Sequence, residues 1–198
     1  MNRDEIKKIV DECEKKCVEE FQLIDEINFY YSEKVLNAMQ ESGLSESSFS
    51  STTGYGYNDI GRDTIENIYK KIFDSEDALV RNQFVSGSHA LAVTLFALLR
   101  PEDTLLSISG LPYDTLHEVI GIKENSSSLA AFGVKYAEID LINNDFDYEK
   151  IEAYLNSNKV KVIEIQRSKG YSTRDSLGIE KLRKVINLIK NIDSNIIV

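Results

Sequence analysis

Val85-Ser86-Gly87-Ser88-His89-Ala90 joins a β-type pair, Phe84-Val85, to the first turn of an almost wholly apolar helix, His89 to Leu99. A glycine turn at such a place leaves backbone N–H groups pointing outward at the positive end of the helix dipole. That arrangement is a ready site for phosphate. The pattern continues downstream. Pro101-Glu102-Asp103 ends the helix, and Thr104 to Ile108 follows as a strand. Thr115 to Ile120 reads as a short helix, Lys135 to Ile139 as a strand and Tyr148 to Leu155 as a helix. Val160 to Ile165 is the next strand, Ile179 to Ile189 a strongly amphipathic helix, and Asn195 to Val198 begins a further strand. Strands alternating with helices predict an α/β fold with a mostly parallel sheet covered on both faces. Ligands of such sheets bind beyond the carboxyl ends of the strands, so the loops after Val85, Ile108 and Ile165 are the ones to inspect.

Upstream of the turn the periodicity is helical. Ala78 to Val80 is strand-like, and Asp63 with Glu66 offers a capping box for a helix through Ile65, Ile68, Tyr69 and Ile72. Ser42 to Gly56 is polar and serine-rich and reads as a loop. Ile6, Ile9, Val10, Cys13, Cys17, Ile24, Ile27, Tyr31 and Val35 recur at helical spacing, which predicts a long arm with one apolar stripe. Such an arm suits packing on a body or a partner subunit. The organisation is therefore a helical arm and loop over 1–56, then an α/β part over 57–198.

Composition narrows the function classes. The chain has 198 residues, 42% of them apolar, enough for a substantial core. Its formal net charge of −10 disfavours nucleic acid and anionic membranes as partners. No apolar run approaches the roughly 20 residues of a bilayer span, and Met1-Asn2-Arg3-Asp4-Glu5 opens a charged helix, not a signal peptide. The two cysteines, Cys13 and Cys17, read as buried thiols on the apolar stripe, and no metal site is expected. These features suggest a reduced, cytoplasmic protein. Neither the dinucleotide glycine fingerprint nor the P-loop pattern occurs.

The strand-end loops hold the unusual residues. Ser109-Gly110-Leu111-Pro112-Tyr113-Asp114-Thr115 presents an aromatic on a proline turn. Gln166-Arg167-Ser168-Lys169-Gly170-Tyr171 is basic within an acidic chain, and Gly54-Tyr55-Gly56-Tyr57 precedes Gly61-Arg62-Asp63. A phosphate cradle, a stacking tyrosine and scattered arginines would suit a flat anionic cofactor. In order and spacing, Gly54 to Thr64, Ser86 to Ala90, Pro112 to Thr115 and Gln166 to Ser172 together resemble the aluminium-resistance protein family. That family is related to methionine γ-lyase and cystathionine β-lyase, pyridoxal-phosphate enzymes of the aspartate-aminotransferase-like fold. The resemblance runs over nearly the whole chain.

The resemblance implies that 57–198 is part of a pyridoxal-phosphate-binding large domain. It implies that Gly87 and Ser88 hold the cofactor phosphate, with His89 beginning the helix behind them. Tyr113 is implied to stack on the ring and assist proton transfer, and Tyr57 to reach the phosphate of a neighbouring subunit in a homodimer or homotetramer. Two residues beyond that tyrosine the lyases carry arginine where this chain has Asp59; Arg62 is the candidate for the missing charge. Arg167, whose fork of donors suits a carboxylate, is the candidate for substrate binding, together with Tyr55. The implied activity is carbon–sulfur β- or γ-elimination on a sulfur amino acid. The lysine forming the Schiff base and the aspartate facing the ring nitrogen are expected beyond Val198. The alternative is a non-catalytic phosphate-ligand-binding or assembly domain.

Overall fold

A computed structural model describes residues 2–198, which fall into two compact units divided between Gln83 and Phe84. The first unit opens with helix α1 (Arg3–Lys16). Asn2 caps it: its side chain accepts from the Glu5 amide at 2.9 Å, and the Glu5 carboxylate accepts from the Asn2 amide at 2.9 Å. The predicted single arm is in fact two helices, because the chain bends at Cys17 before α2 (Val18–Glu41). α1 buries no residue and α2 buries only Ala38. Cys13 and Cys17 are exposed free thiols, which corrects the expectation of buried ones: the apolar stripe of this arm has no covering element within the unit. The Ser42–Gly56 stretch is irregular apart from a short 3-10 turn at Glu46–Phe49.

Helix α3 (Ile60–Phe73) begins earlier than the Asp63–Glu66 reading predicts. The Asp63 amide donates to the Asp59 carbonyl at 3.1 Å, so Asp63 is already helical and cannot cap. Asp59 is the cap, its carboxylate accepting from the Arg62 amide at 3.2 Å. Glu66 instead accepts from the Val80 amide at 3.0 Å and pairs with Arg81. That bond explains why Ala78–Val80 is not a strand: its backbone is satisfied by a side chain instead of a ladder. α3 buries Thr64 and Ile68 and packs on α2, so it belongs with the arm although the 56/57 division assigns it to the sheet-bearing part. The contact with the 3-10 turn is tight. A Cβ on Gly61 would lie 2.2 Å from the Ser48 carbonyl oxygen, which is backbone and cannot swing away. Gly61→Ala is therefore expected to destabilise this unit by about 1–3 kcal/mol despite alanine's better helix propensity. Hydrogen exchange along α3 measures it, and protection equal to wild type would show that the two elements separate freely.

The second unit runs α4 (Gly87–Leu98), β1 (Thr104–Ser107), a 3-10 turn at Asp114–Leu116, α5 (His117–Ile120), β2 (Lys135–Glu138), α6 (Tyr148–Ser157), β3 (Val162–Glu164) and α7 (Ile179–Ile192). Its sheet is parallel in the order β2-β1-β3, with Ser107 opposite Glu138 on one side and Glu164 on the other. Ile197 bridges Val162 in parallel, as the predicted start of a strand at Asn195–Val198 requires. Phe84-Val85 is not a strand, since the Val85 amide donates to Nδ1 of His89 at 3.3 Å.

Side chains alternate across a strand, so β1 serves two cores. Leu106 faces a cluster with Ile163, Ile151, Leu155, Val185 and Ile189, contributed by β3, α6 and α7. Leu105 faces the other cluster, with Val162, Leu95, Leu99, Leu116 and Ile120 from β3, α4 and the α5 region. Helices thus cover both faces, as the alternation predicts. Of α4 itself only Leu95 is buried, and Leu91 and Val93 remain exposed. Among the described residues no helix is long and apolar enough to cross a membrane, and no cluster of three or more metal-ligating side chains occurs.

Candidate functional site

At the head of α4 the Ser86 side chain accepts from the His89 amide at 3.1 Å, which turns the chain into the helix. Gly87 and Ser88 are then the first two helical residues. Among the described residues their amides donate to no protein acceptor, because nothing precedes them at helical spacing. A Cβ built on Gly87 meets nothing within 4 Å. The hydroxyls of Ser88 and Thr115 lie 3.1 Å apart, so the turn after Tyr113 is drawn against the head of α4. Two free amides, two hydroxyls and a helix dipole make an anion cradle. His89 contributes its helical position; its amide is taken by the cap and its Nδ1 accepts from Val85, with the ring edge-on to Phe84 at 6.0 Å.

Tyr113 is half-buried at the start of the 3-10 turn that carries Thr115. Tyr171 lies beside it, ring centroids 6.2 Å apart and planes tilted by 32°, and lifts the Tyr113 hydroxyl above the usual phenol range. Gly170 permits this approach: it has φ of +55°, and a Cβ there would stand 3.0 Å from the Tyr113 ring. The loop that holds Tyr171 is shaped by Arg174, which donates to the carbonyls of Gln166 at 3.1 Å and Ser168 at 2.7 Å. Arg167 donates through Nε to the Leu177 carbonyl at 3.3 Å and is otherwise exposed. The structure therefore brings together Gly87, Ser88 and the Tyr113 turn, and Tyr113 with Tyr171.

Tyr55, Tyr57 and Arg62 belong to the first unit. The two tyrosines are fully presented to solvent, 83% and 82% exposed. Arg62 is held beneath their loop: it donates to the Gly54 carbonyl at 3.3 Å and its Nε lies 3.4 Å from the Asp59 carboxylate. Asp59, which departs from the lyase pattern, thus both caps α3 and orients the guanidinium. A polar recess of about 280 Å³ opens there, lined by Thr52, Gly54, Asp59, Arg62, Arg81 and Asn82 among others. A larger apolar cavity of about 640 Å³ between α2 and α3 carries no titratable side chain apart from Tyr69.

Sequence reasoning quoted Thr115 in the loop after Ile108 without giving it a role, and it missed Arg174 and Glu164. Glu164 had a signal, since a carboxylate interrupts the apolar run Val160 to Ile165. Its side chain sits at the end of β3 with Oε2 2.8 Å from the Ser107 Oγ, and burial, the larger influence, pushes the carboxyl above its ordinary range. Thr115 had none, because only tertiary packing brings its hydroxyl to Ser88.

The fold and site define an α/β domain with an anion cradle and an aromatic pair at its strand ends. The chain belongs to the methionine gamma-lyase family, whose model matches residues 6–198. Over 178 residues it is 45% identical to "Uncharacterized protein YnbB" of Bacillus subtilis, a match covering 88% of this chain and 42% of that protein. It is similar to the solved structure of a "carbon-sulfur lyase involved in aluminum resistance" from Clostridium novyi NT, with 41% identity and a TM-score of 0.90, covering 98% of this chain and 47% of that one. It is also similar to a "putative cystathionine beta-lyase involved in aluminum resistance" from Clostridium acetobutylicum, with 42% identity and a TM-score of 0.92, covering 100% and 47%. The chain thus spans about half the length of the relatives it matches.

Proposed function

We propose that this chain forms the cofactor-phosphate part of a pyridoxal-phosphate-dependent carbon–sulfur lyase acting on a sulfur amino acid, on an aspartate-aminotransferase-like fold. The observation that carries the reading is the pair of unpartnered amides at Gly87 and Ser88, open on the side where a glycine side chain is missing. A phosphate monoester fits that donor set: it offers acceptors only, and both amides and the Thr115 hydroxyl, which accepts from Ser88, can donate to it. Membership of the methionine gamma-lyase family and the lyase names of the similar structures support the same assignment.

When bound, pyridoxal phosphate supplies an electron sink for the carbanion left by loss of the substrate α-proton. The chain's own residues would do the rest of the positioning. Gly87 and Ser88 bind the phosphate, and Thr115 completes its donor shell. Tyr113 offers a ring face for stacking and a hydroxyl for holding a proton, and Arg167 offers a guanidinium to a substrate carboxylate. Tyr57 and Arg62 would reach the phosphate of a second copy, with Tyr55 beside the substrate, in a homodimer or homotetramer. The covalent anchor lysine and the acidic partner of the ring nitrogen would come from the part of the relatives' length this chain does not span.

The test is titration of the full-length protein with pyridoxal phosphate, followed by phosphorus NMR and visible absorbance, then an assay of thiol or sulfide release from sulfur amino acids. Saturable binding with thiol release is expected. Full-length protein that takes up no pyridoxal phosphate defeats the reading, and binding without any sulfur release would reduce it to a phosphate-ligand domain.

A further inference from the structure

Ser107 is the one wholly buried hydroxyl at the centre of the sheet, and it has two oxygen neighbours but a single proton. Its Oγ lies 2.6 Å from the Gly110 carbonyl oxygen and 2.8 Å from Oε2 of Glu164. If Glu164 were ionised, both neighbours would be acceptors, and one of the two contacts would be a close approach of two oxygens with no hydrogen between them. A carbonyl cannot donate. The assignment that places a proton in each of the two contacts makes the carboxyl the donor. We infer that Glu164 is held as a neutral carboxylic acid whose O–H donates to Ser107, which in turn donates to the Gly110 carbonyl, and that this relay makes Glu164 a positioning residue for the turn that bears Tyr113.

The surroundings agree with a neutral acid. Ser107 is in register with Glu138 as well as Glu164, so both carboxyl side chains stand on one face of the sheet. Glu138 accepts from the Tyr136 hydroxyl at 2.7 Å, and Asp140 follows on the next loop; Tyr136, Glu138 and Asp140 are all neutral or negative. Among the described residues Glu164 joins no ion pair. An ionised Glu164 would therefore add a third negative charge to this face without a cation, in a half-buried setting.

The relay has a mechanical consequence. Gly110 sits at φ +81°, where a Cβ would stand 3.0 Å from the Asp140 carboxylate, and this left-handed conformation turns its carbonyl back toward Ser107. The Gly110 amide donates to the Ile139 carbonyl at 3.0 Å, and Ser109 Oγ accepts from the Gln166 amide at 2.8 Å. Four polar contacts thus tie the start of the Tyr113 turn to the ends of β2 and β3. Only those through Ser107 depend on pH. Because the folded carboxyl ionises at higher pH than a free glutamate, the stabilisation from the relay is complete below the free value and is lost as pH rises through the folded one.

The inference rests on strand-end geometry and not on the cofactor reading, and its test needs no pyridoxal phosphate. In the full-length protein with carboxyl-labelled glutamate, one glutamate is expected to titrate above the ordinary carboxylate range and together with the Gly110 amide resonance. Glu164→Gln, whose amide can also donate to Ser107, should lose that carboxyl signal, leave the Gly110 shift at its low-pH value and abolish its titration. Two results would overturn the inference: no glutamate titrating above the ordinary carboxylate range in wild type, or a Gly110 titration that persists in E164Q. Should the variant not fold, the wild-type carboxyl titration decides alone. A protonated Glu164 in a protein that takes up no cofactor would leave this relay standing and remove the functional reading.

Discussion

Replacing Gly87 by proline is expected to weaken the proposed binding of pyridoxal phosphate by roughly 10- to 100-fold while leaving α4 intact. The substitution is unusually clean. Gly87 is the first residue of the helix, the position at which proline is best tolerated, because its ring presets the helical φ and its missing N–H has no intrahelical partner. Ser86 before it is extended, with φ −161° and ψ 165°, which is the conformation a following proline demands. Nothing lies within 4 Å of a Cβ at this position, so the change removes one amide donor and its Cβ enters open space. A hydrogen bond to a charged group contributes about 1.5–3 kcal/mol, which converts to the stated loss of affinity. Phosphorus NMR and equilibrium titration measure the binding, and circular dichroism checks the helix. Wild-type affinity in a folded variant would remove the head of α4 from the binding site.

Leu106→Ala is expected to cost about 2–5 kcal/mol of stability. Leu106 lies on the central strand, is wholly buried and shares its cluster with residues from β3, α6 and α7. Backbone pairing on both sides of β1 holds the strand in place, so the cavity left behind cannot collapse readily. Against a typical total of about 5–15 kcal/mol, such a loss would expose the unit to unfolding at moderate urea. Ile142→Ala, on a side chain 51% exposed, is the control and should change stability by less than about 0.5 kcal/mol. Urea unfolding followed by circular dichroism compares the two. Equal midpoints would mean that the Leu106 cluster does not govern the stability of this unit.

Local pattern carried much of the fold. The strands at Thr104–Ser107, Lys135–Glu138 and Val162–Glu164 fall within the predicted segments, and the helices at Tyr148–Ser157 and Ile179–Ile192 start where predicted and run past the predicted ends at Leu155 and Ile189, because their apolar spacing follows the strand or helix period. The failures share one cause. Ala78–Val80 and Phe84-Val85 have strand composition, yet the Val80 amide goes to the side chain of Glu66, which only folding brings near, and the Val85 amide to His89 at the head of the following helix. Asp63 and Glu66 have the spacing of a capping box, but Asp59 takes the cap and Arg81 takes Glu66. The cysteines lie on a helical stripe, and whether a stripe is covered depends on what packs against it.

The candidate site divides in the same way. Sequence alone determined the glycine turn with its free amides, the tyrosine on its proline turn, the alternation that makes a parallel sheet and the motif order shared with a family of lyases. These are local properties, set by residue type and spacing of a few positions. Tertiary structure decided that Thr115 joins Ser88, that Tyr171 covers Tyr113, and that Ser107 stands between Glu164 and Gly110. Each of these couples residues through side-chain contacts only a few ångströms long, and most join separate elements of the chain. Spacing along a sequence cannot encode them, since strand order, register and loop closure alone bring such groups together.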